Sequence, residues 1–138
     1  MRFFFVWVLV SLLAIPVAFC ADPASISVRG RLRQVPGQAP FLEIADHTHV
    51  VLNGDEPTMK VLADARLKDS DFEVEGHYAA DGHFEVNKIH LPSLFVYRDG
   101  KRMQVSYWCD VCYIRTSSPG KCWCCQKETA LDPIKPEN

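Results

Sequence analysis

At 138 residues, 48% hydrophobic and 23% charged, the chain has the size and balance of one domain, or of one small domain with an appendage. Its net charge of −2 excludes the strong positive field that draws proteins to nucleic acid.

The first twenty residues, MRFFFVWVLVSLLAIPVAFC, carry one charge, Arg2, and then an unbroken apolar run from Phe3 to Ile15. Pro16 interrupts the run. Ala18 and Cys20 then stand at the −3 and −1 positions of a cleavage point before Ala21, which is the pattern of an export signal. An uncleaved anchor is the second reading, since Phe3 to Cys20 is near the lower length limit for a membrane span. A lipid on Cys20 is the third, because Phe19 is bulky where a small residue is usual. All three place residues 21–138 outside the cytoplasm, periplasmic or secreted, with membrane attachment through residues 3–20 if they are retained. Loss of residues 1–20 removes Arg2 and Cys20, which takes the net charge from −2 to −3 and the cysteines from six to five. An odd count suits a metal site or one free thiol better than a pure disulfide scaffold.

From Ala24 to Leu91 the pattern is one of strands. In SISVRGRLRQV, Ile26, Val28 and Leu32 alternate with Ser27, Arg29, Arg31 and Arg33, and Gly30 falls on the apolar side. PFLEIAD and THVVLNGD give a second and third strand around a turn near Asp46-His47. The period then changes. Asp55 suits a helix N-cap and Pro57 a first turn, and Met59 and Leu62 form a short apolar stripe. SDFEVEGHYAADGHFEVNKIHL reads as a hairpin turning at Asp81-Gly82, with Phe72, Val74, Tyr78, Phe84 and Val86 facing inward. A slip of phase at Asn87-Lys88 predicts a bulge before Ile89 and Leu91.

Three strands, a short helix and two strands resemble the OB-fold, a five-stranded Greek-key barrel. The motifs carrying this are Gly30, the helix position and FEVEG…FEVNKI, and the segment is similar to small OB-fold modules of exported bacterial proteins. The expected fold is therefore all-β: a barrel over residues 24–91, followed by a C-terminal hairpin and a Cys-rich extension over 92–126. The hairpin is SLFVYR and KRMQVSYW around Asp99-Gly100. A loose polar tail is expected over 127–138. The block WCDVCYIRTSSPGKCWCCQKETAL is similar to one in uncharacterised exported bacterial proteins, a resemblance that implies no activity.

Five cysteines crowd into YWCDVCYIRTSSPGKCWCCQ. Two C-x-x-C pairs, Cys109/Cys112 and Cys122/Cys125, can each turn two sulfurs toward one ion, and four thiolates hold zinc tetrahedrally. Cys124 is an alternative fourth ligand or a free thiol, and in a further alternative it is the mobile thiol of a thiol–disulfide or metal-transfer protein. Nine residues separate the pairs, fewer than the usual spacing of about 15–20. The Pro and Gly that flank many zinc knuckles are missing. Disulfides are the competing reading in an oxidising compartment, with a bridge from Cys109 or Cys112 to Cys122, Cys124 or Cys125. Structural zinc is placed ahead of them. Covalent haem fails because Tyr113 and Gln126, not His, follow the pairs. A catalytic dithiol is disfavoured by Asp110 between the first pair and by the all-β setting, and an iron–sulfur cluster by the compartment. Tyr107, Trp108, Tyr113 and Trp123 frame the cluster and are read as packing against the barrel.

The arginine face of the first strand is expected to pair with Glu73 and Glu75 of the fourth, so no nucleic-acid partner follows. His47 and His49 at i and i+2, with Met59 and Met103 as soft ligands, leave copper handling as a lesser alternative. His77, His83 and His90 read as surface residues. No nucleophile elbow, phosphate loop or H-E-x-x-H is present, so no enzyme is expected. The reading is an exported binding module whose partner is a protein, a glycan or another small ligand.

Overall fold

Alternation along the chain closes a five-stranded barrel in this computed structural model, which describes residues 24–137. The signal, anchor or lipid expected for residues 1–20 lies outside them. Among the described residues no helix is long and apolar enough to cross a membrane. β1 (Ile26–Arg33) pairs antiparallel with β2 (Phe41–Glu43), and β2 with β3 (His49–Asn53). β3 lies parallel to β5 (Phe84–Val86), β5 pairs with β4 (Asp71–Tyr78), and β4 returns to β1. Helix α1 (Glu56–Leu62) sits between β3 and β4. This circuit, 1-2-3-5-4 and back to 1, is the Greek-key barrel expected from the sequence.

Two glycines let the strands approach closely enough to close it. A Cβ on Gly30 would stand 2.6 Å from the Glu43 carbonyl oxygen, and one on Gly76 would strike the Glu85 backbone. At the helix, Asp55 caps as expected. Its carboxylate accepts from Thr58 N at 3.0 Å and also from Ile89 N at 3.1 Å, tying α1 to the chain after β5.

The extension adds β6 (Leu94–Arg98) to the edge of β4 and β7 (Lys101–Gln104) to β6. β8 (Tyr107–Cys109), β9 (Ile114–Thr116) and β10 (Ala130–Leu131) form a second sheet, in the order β10-β8-β9. Barrel and extension share one core: Leu32, Leu52, Leu62, Phe72 and Phe84 pack in the same cluster as Leu94, Val96, Val105 and Tyr107.

Three expectations change. No bulge forms at Asn87-Lys88; β5 ends at Val86, and Ile89 packs on the core from a turn. Tyr78 does not face inward but is half-exposed at the end of β4, edge-on to Phe84. The tail is not loose. Ala130 and Leu131 pair with Trp108 and Tyr107, Ile134 bridges Gln104, and Thr129 is buried.

Candidate metal centre

The cysteine pairs occupy the tips of two hairpins. In the first, β8 and β9 pair in the register Cys109↔Ile114, so residues 110–113 form the turn. In the second, Lys121 bridges Glu128 and Cys122 N donates to the Lys127 carbonyl at 2.8 Å. β10 then pairs with β8, which lays the second hairpin alongside the first.

The two turns repeat one backbone pattern. Tyr113 N donates to the Cys109 carbonyl at 2.9 Å, and Gln126 N donates to the Cys122 carbonyl at 2.9 Å. The amides of Cys112 and Val111 favour the Cys109 thiolate, and those of Cys125 and Cys124 the Cys122 thiolate. The residue after each pair is left-handed, Tyr113 at φ 57° and Gln126 at φ 60°.

The sulfurs of Cys109, Cys112, Cys122 and Cys125 all lie within 4.8 Å of one another, with Cys109 and Cys125 at 3.5 Å. A tetrahedral ion with sulfurs at about 2.3 Å sets them about 3.8 Å apart, so the cluster can hold a metal ion with small adjustments. It is the one group of three or more such ligands among the described residues. Cys109 and Cys122 are buried, Cys112 and Cys125 half-buried, and Cys124, outside the quartet, is exposed. All five are free thiols.

The thiols titrate unequally. The amides of Cys125 and Cys124 bring the Cys122 thiol down to about 7. Cys112 is pushed well up, first by the neighbouring Cys124 thiol and then by burial and the remaining sulfurs. At Cys109 the amides of Cys112 and Val111 favour the thiolate, but burial and the thiols of Cys125 and Cys122 raise it on balance. Crowded sulfurs without a cation cannot all ionise, and a divalent ion removes that conflict.

The site is fastened to the barrel from below. Tyr107, fully buried two residues before Cys109, donates from Oη to Asp64 Oδ2 at 2.9 Å. Arg66 pairs with Asp64 at 2.8 Å and donates to the Thr129 carbonyl at 2.9 Å. Arg115 clamps the sheet by donating to Ser106 Oγ, the Asp132 carbonyl and the Asp132 carboxylate.

The framing aromatics divide. Tyr107 packs inward as expected and Trp108 is half-buried, but Tyr113 and Trp123 are 77% and 74% exposed and do not pack on the barrel. The copper set is not assembled. His47 sits by Glu43 at 3.2 Å, the His49 ring lies against Phe41, and Met59 and Met103 pack on the core.

The arginine face is largely neutralised, by different partners from those expected. Arg29 makes a forked contact with Asp71 and lies 3.5 Å above the Tyr97 ring. Arg33 bridges Glu43 and Asp69. Glu73 and Glu75 bond Arg102 of β7 instead. Burial pushes the Glu73 carboxyl up, but Arg102, Tyr97 and Ser27 outweigh it, leaving its pKa below the ordinary value.

No protein-family model, curated protein or solved structure matches the chain.

Proposed function

We propose that the chain is an exported, non-enzymatic binding module whose extension is fixed by structural zinc on Cys109, Cys112, Cys122 and Cys125. The observation that carries the metal reading is the repeated turn: two hairpin tips with the same amide-to-carbonyl bond and the same left-handed residue after the pair, with four sulfurs converging. A closed four-sulfur set leaves no position for substrate, so the ion holds shape and does no chemistry. Soft thiolates in a compact quartet favour zinc over hard cations such as calcium or magnesium.

A binding role rests on what the extension displays. Tyr113 and Trp123 stand at the hairpin tips with most of their rings in solvent, where aromatic side chains serve recognition. A protein partner fits this surface. The paired arginines give nucleic acid no unbroken basic stripe. Export rests on the sequence of residues 1–20.

Intact mass of protein from an exporting host, measured under native and denaturing conditions with and without thiol alkylation, tests the metal reading. The expected result is a mass increment of one zinc lost on denaturation, with four thiols protected until then. Loss of two hydrogens per bridge with no metal overturns it in favour of a disulfide staple.

A further inference from the structure

Asn53 and Gly54 are the one Asn-Gly pair in the chain. They stand where β3 ends, and Asn53 is exposed. Asn53 lies opposite Glu85 on the last rung of the β3–β5 ladder, the parallel seam that closes the barrel. Its Nδ2 donates to Glu85 Oε2 at 2.9 Å, which ties the two strands together. Gly54 is needed there for room and not for a left-handed turn. A Cβ on it would stand 2.8 Å from Cγ2 of Thr58, which is fully buried in α1. The next residue, Asp55, caps α1 and holds Ile89. A glycine that packing requires therefore follows an exposed asparagine, and it puts no side chain in the way of its own amide nitrogen.

We propose that Asn53 is a self-modification site, which deamidates through a ring closed by Gly54 N and so unlatches the β3–β5 seam. The co-reactant is water. The Gly54 nitrogen gives up its proton and attacks Asn53 Cγ. The Cγ–Nδ2 bond breaks, and ammonia leaves with that proton. Water then opens the cyclic imide, its hydroxyl going to one carbonyl carbon and its hydrogen to the nitrogen. Opening at Cγ gives aspartate. Opening at the main-chain carbonyl gives isoaspartate, with one more carbon in the backbone just before the Asp55 cap. No electrons change hands. Either product trades the donor for a new carboxylate beside Glu85, so the seam loses a bond to a charged acceptor and gains a like-charge conflict. The closed rung keeps the amide on Glu85 and the strand extended, so ring closure runs from the locally opened seam. The barrel thus records how often that seam opens. Nothing in this step depends on export or on zinc.

The test ages the full chain in neutral buffer and follows peptide masses, with the aspartate and isoaspartate forms separated by chromatography. Wild type is expected to convert at Asn53. Asn53→Gln, whose longer side chain closes the ring poorly, is expected to stay unconverted. Gly76→Ala loosens β5 from its other neighbour, β4, so it should speed conversion by about 5-fold or more. Hydrogen exchange reads the consequence. Aged wild type and unaged Asn53→Asp should both lose protection at the β3 and β5 amides, and adding Glu85→Gln to Asn53→Asp should restore much of it. Wild type that does not convert, while the excised peptide spanning Asn53 does, overturns the proposal. Equal rates in wild type and Gly76→Ala, or conversion that leaves exchange unchanged, break the coupling to the seam and overturn it as well. Should Gly76→Ala fail to fold, the conversion and exchange of wild type and Asn53→Asp decide alone.

Discussion

Tyr113 and Gln126 hold the same left-handed backbone, φ 57° and 60°, each directly after the second cysteine of its pair. Glycine takes this conformation freely, whereas an L side chain there costs roughly 1–2 kcal/mol. Gln126→Gly is therefore expected to leave the stability of the metal-loaded chain unchanged or raise it by up to about 1 kcal/mol. Gln126→Val, β-branched, should lower it by about 1–2 kcal/mol. Thermal unfolding of the two variants side by side checks the sign, and a destabilising glycine would contradict the turn geometry.

Tyr107 joins the cysteine-bearing sheet to the barrel through Asp64, with Arg66 reaching from the same carboxylate to Thr129. Tyr107→Phe removes one hydrogen bond to a charged acceptor while leaving the ring in the core. The expected cost is about 1.5–3 kcal/mol in denaturant unfolding. A double-mutant cycle with Asp64→Asn should show coupling, since the two residues touch. Additive effects would mean that the contact contributes nothing.

The same contact sets a pH limb. Burial first, and then the Asp64 carboxylate, raise the Tyr107 phenol above its ordinary value. A raised folded-state pKa gives stability that is full below the unfolded value, about 10, and declines as pH rises past it. Asp64 is the opposite case. Burial raises it, but bonds from Arg66 and Tyr107 prevail and lower it, so its contribution is present above about pH 4 and fades as pH falls through the folded value. Stability of wild type minus that of Tyr107→Phe, measured from pH 8 to 11, should shrink above about pH 10. A constant difference would contradict the assignment.

Gly76→Ala drives a methyl group into the Glu85 backbone at the β4–β5 seam. The expected loss is about 1–3 kcal/mol or more, with the barrel and not the cysteine cluster as the part that loosens. Hydrogen exchange of β4 and β5 amides reads it.

Much of the barrel was legible because its information is local. Alternation in SISVRGRLR, the Asp55-Pro57 helix start and the Asp81-Gly82 turn each mark an element, and short-range pairing assembles them. The cysteine quartet was legible for the same reason, since C-x-x-C fixes two sulfurs within one turn. Its turn geometry was not. The left-handed positions carry Tyr113 and Gln126, so the glycine that ordinarily advertises such a turn is missing. β10 has only two residues and no period to read; it exists because β8 offers an open edge. The ion pairs could not be read from register. Arg29 lies opposite Glu73 across the ladder, yet its fork reaches the neighbouring Asp71, and Glu73 turns to Arg102, 29 positions further along the chain.

The central claim is that the two hairpin tips hold one metal ion between them. X-ray absorption at the zinc edge of the purified full chain tests it most directly. The expected result is four sulfur neighbours at about 2.3 Å, falling to a mixed shell, or to no bound zinc, in Cys109→Ser. Nitrogen or oxygen neighbours in place of sulfur in the wild-type chain, or no zinc at all after loading under reducing conditions, would contradict it.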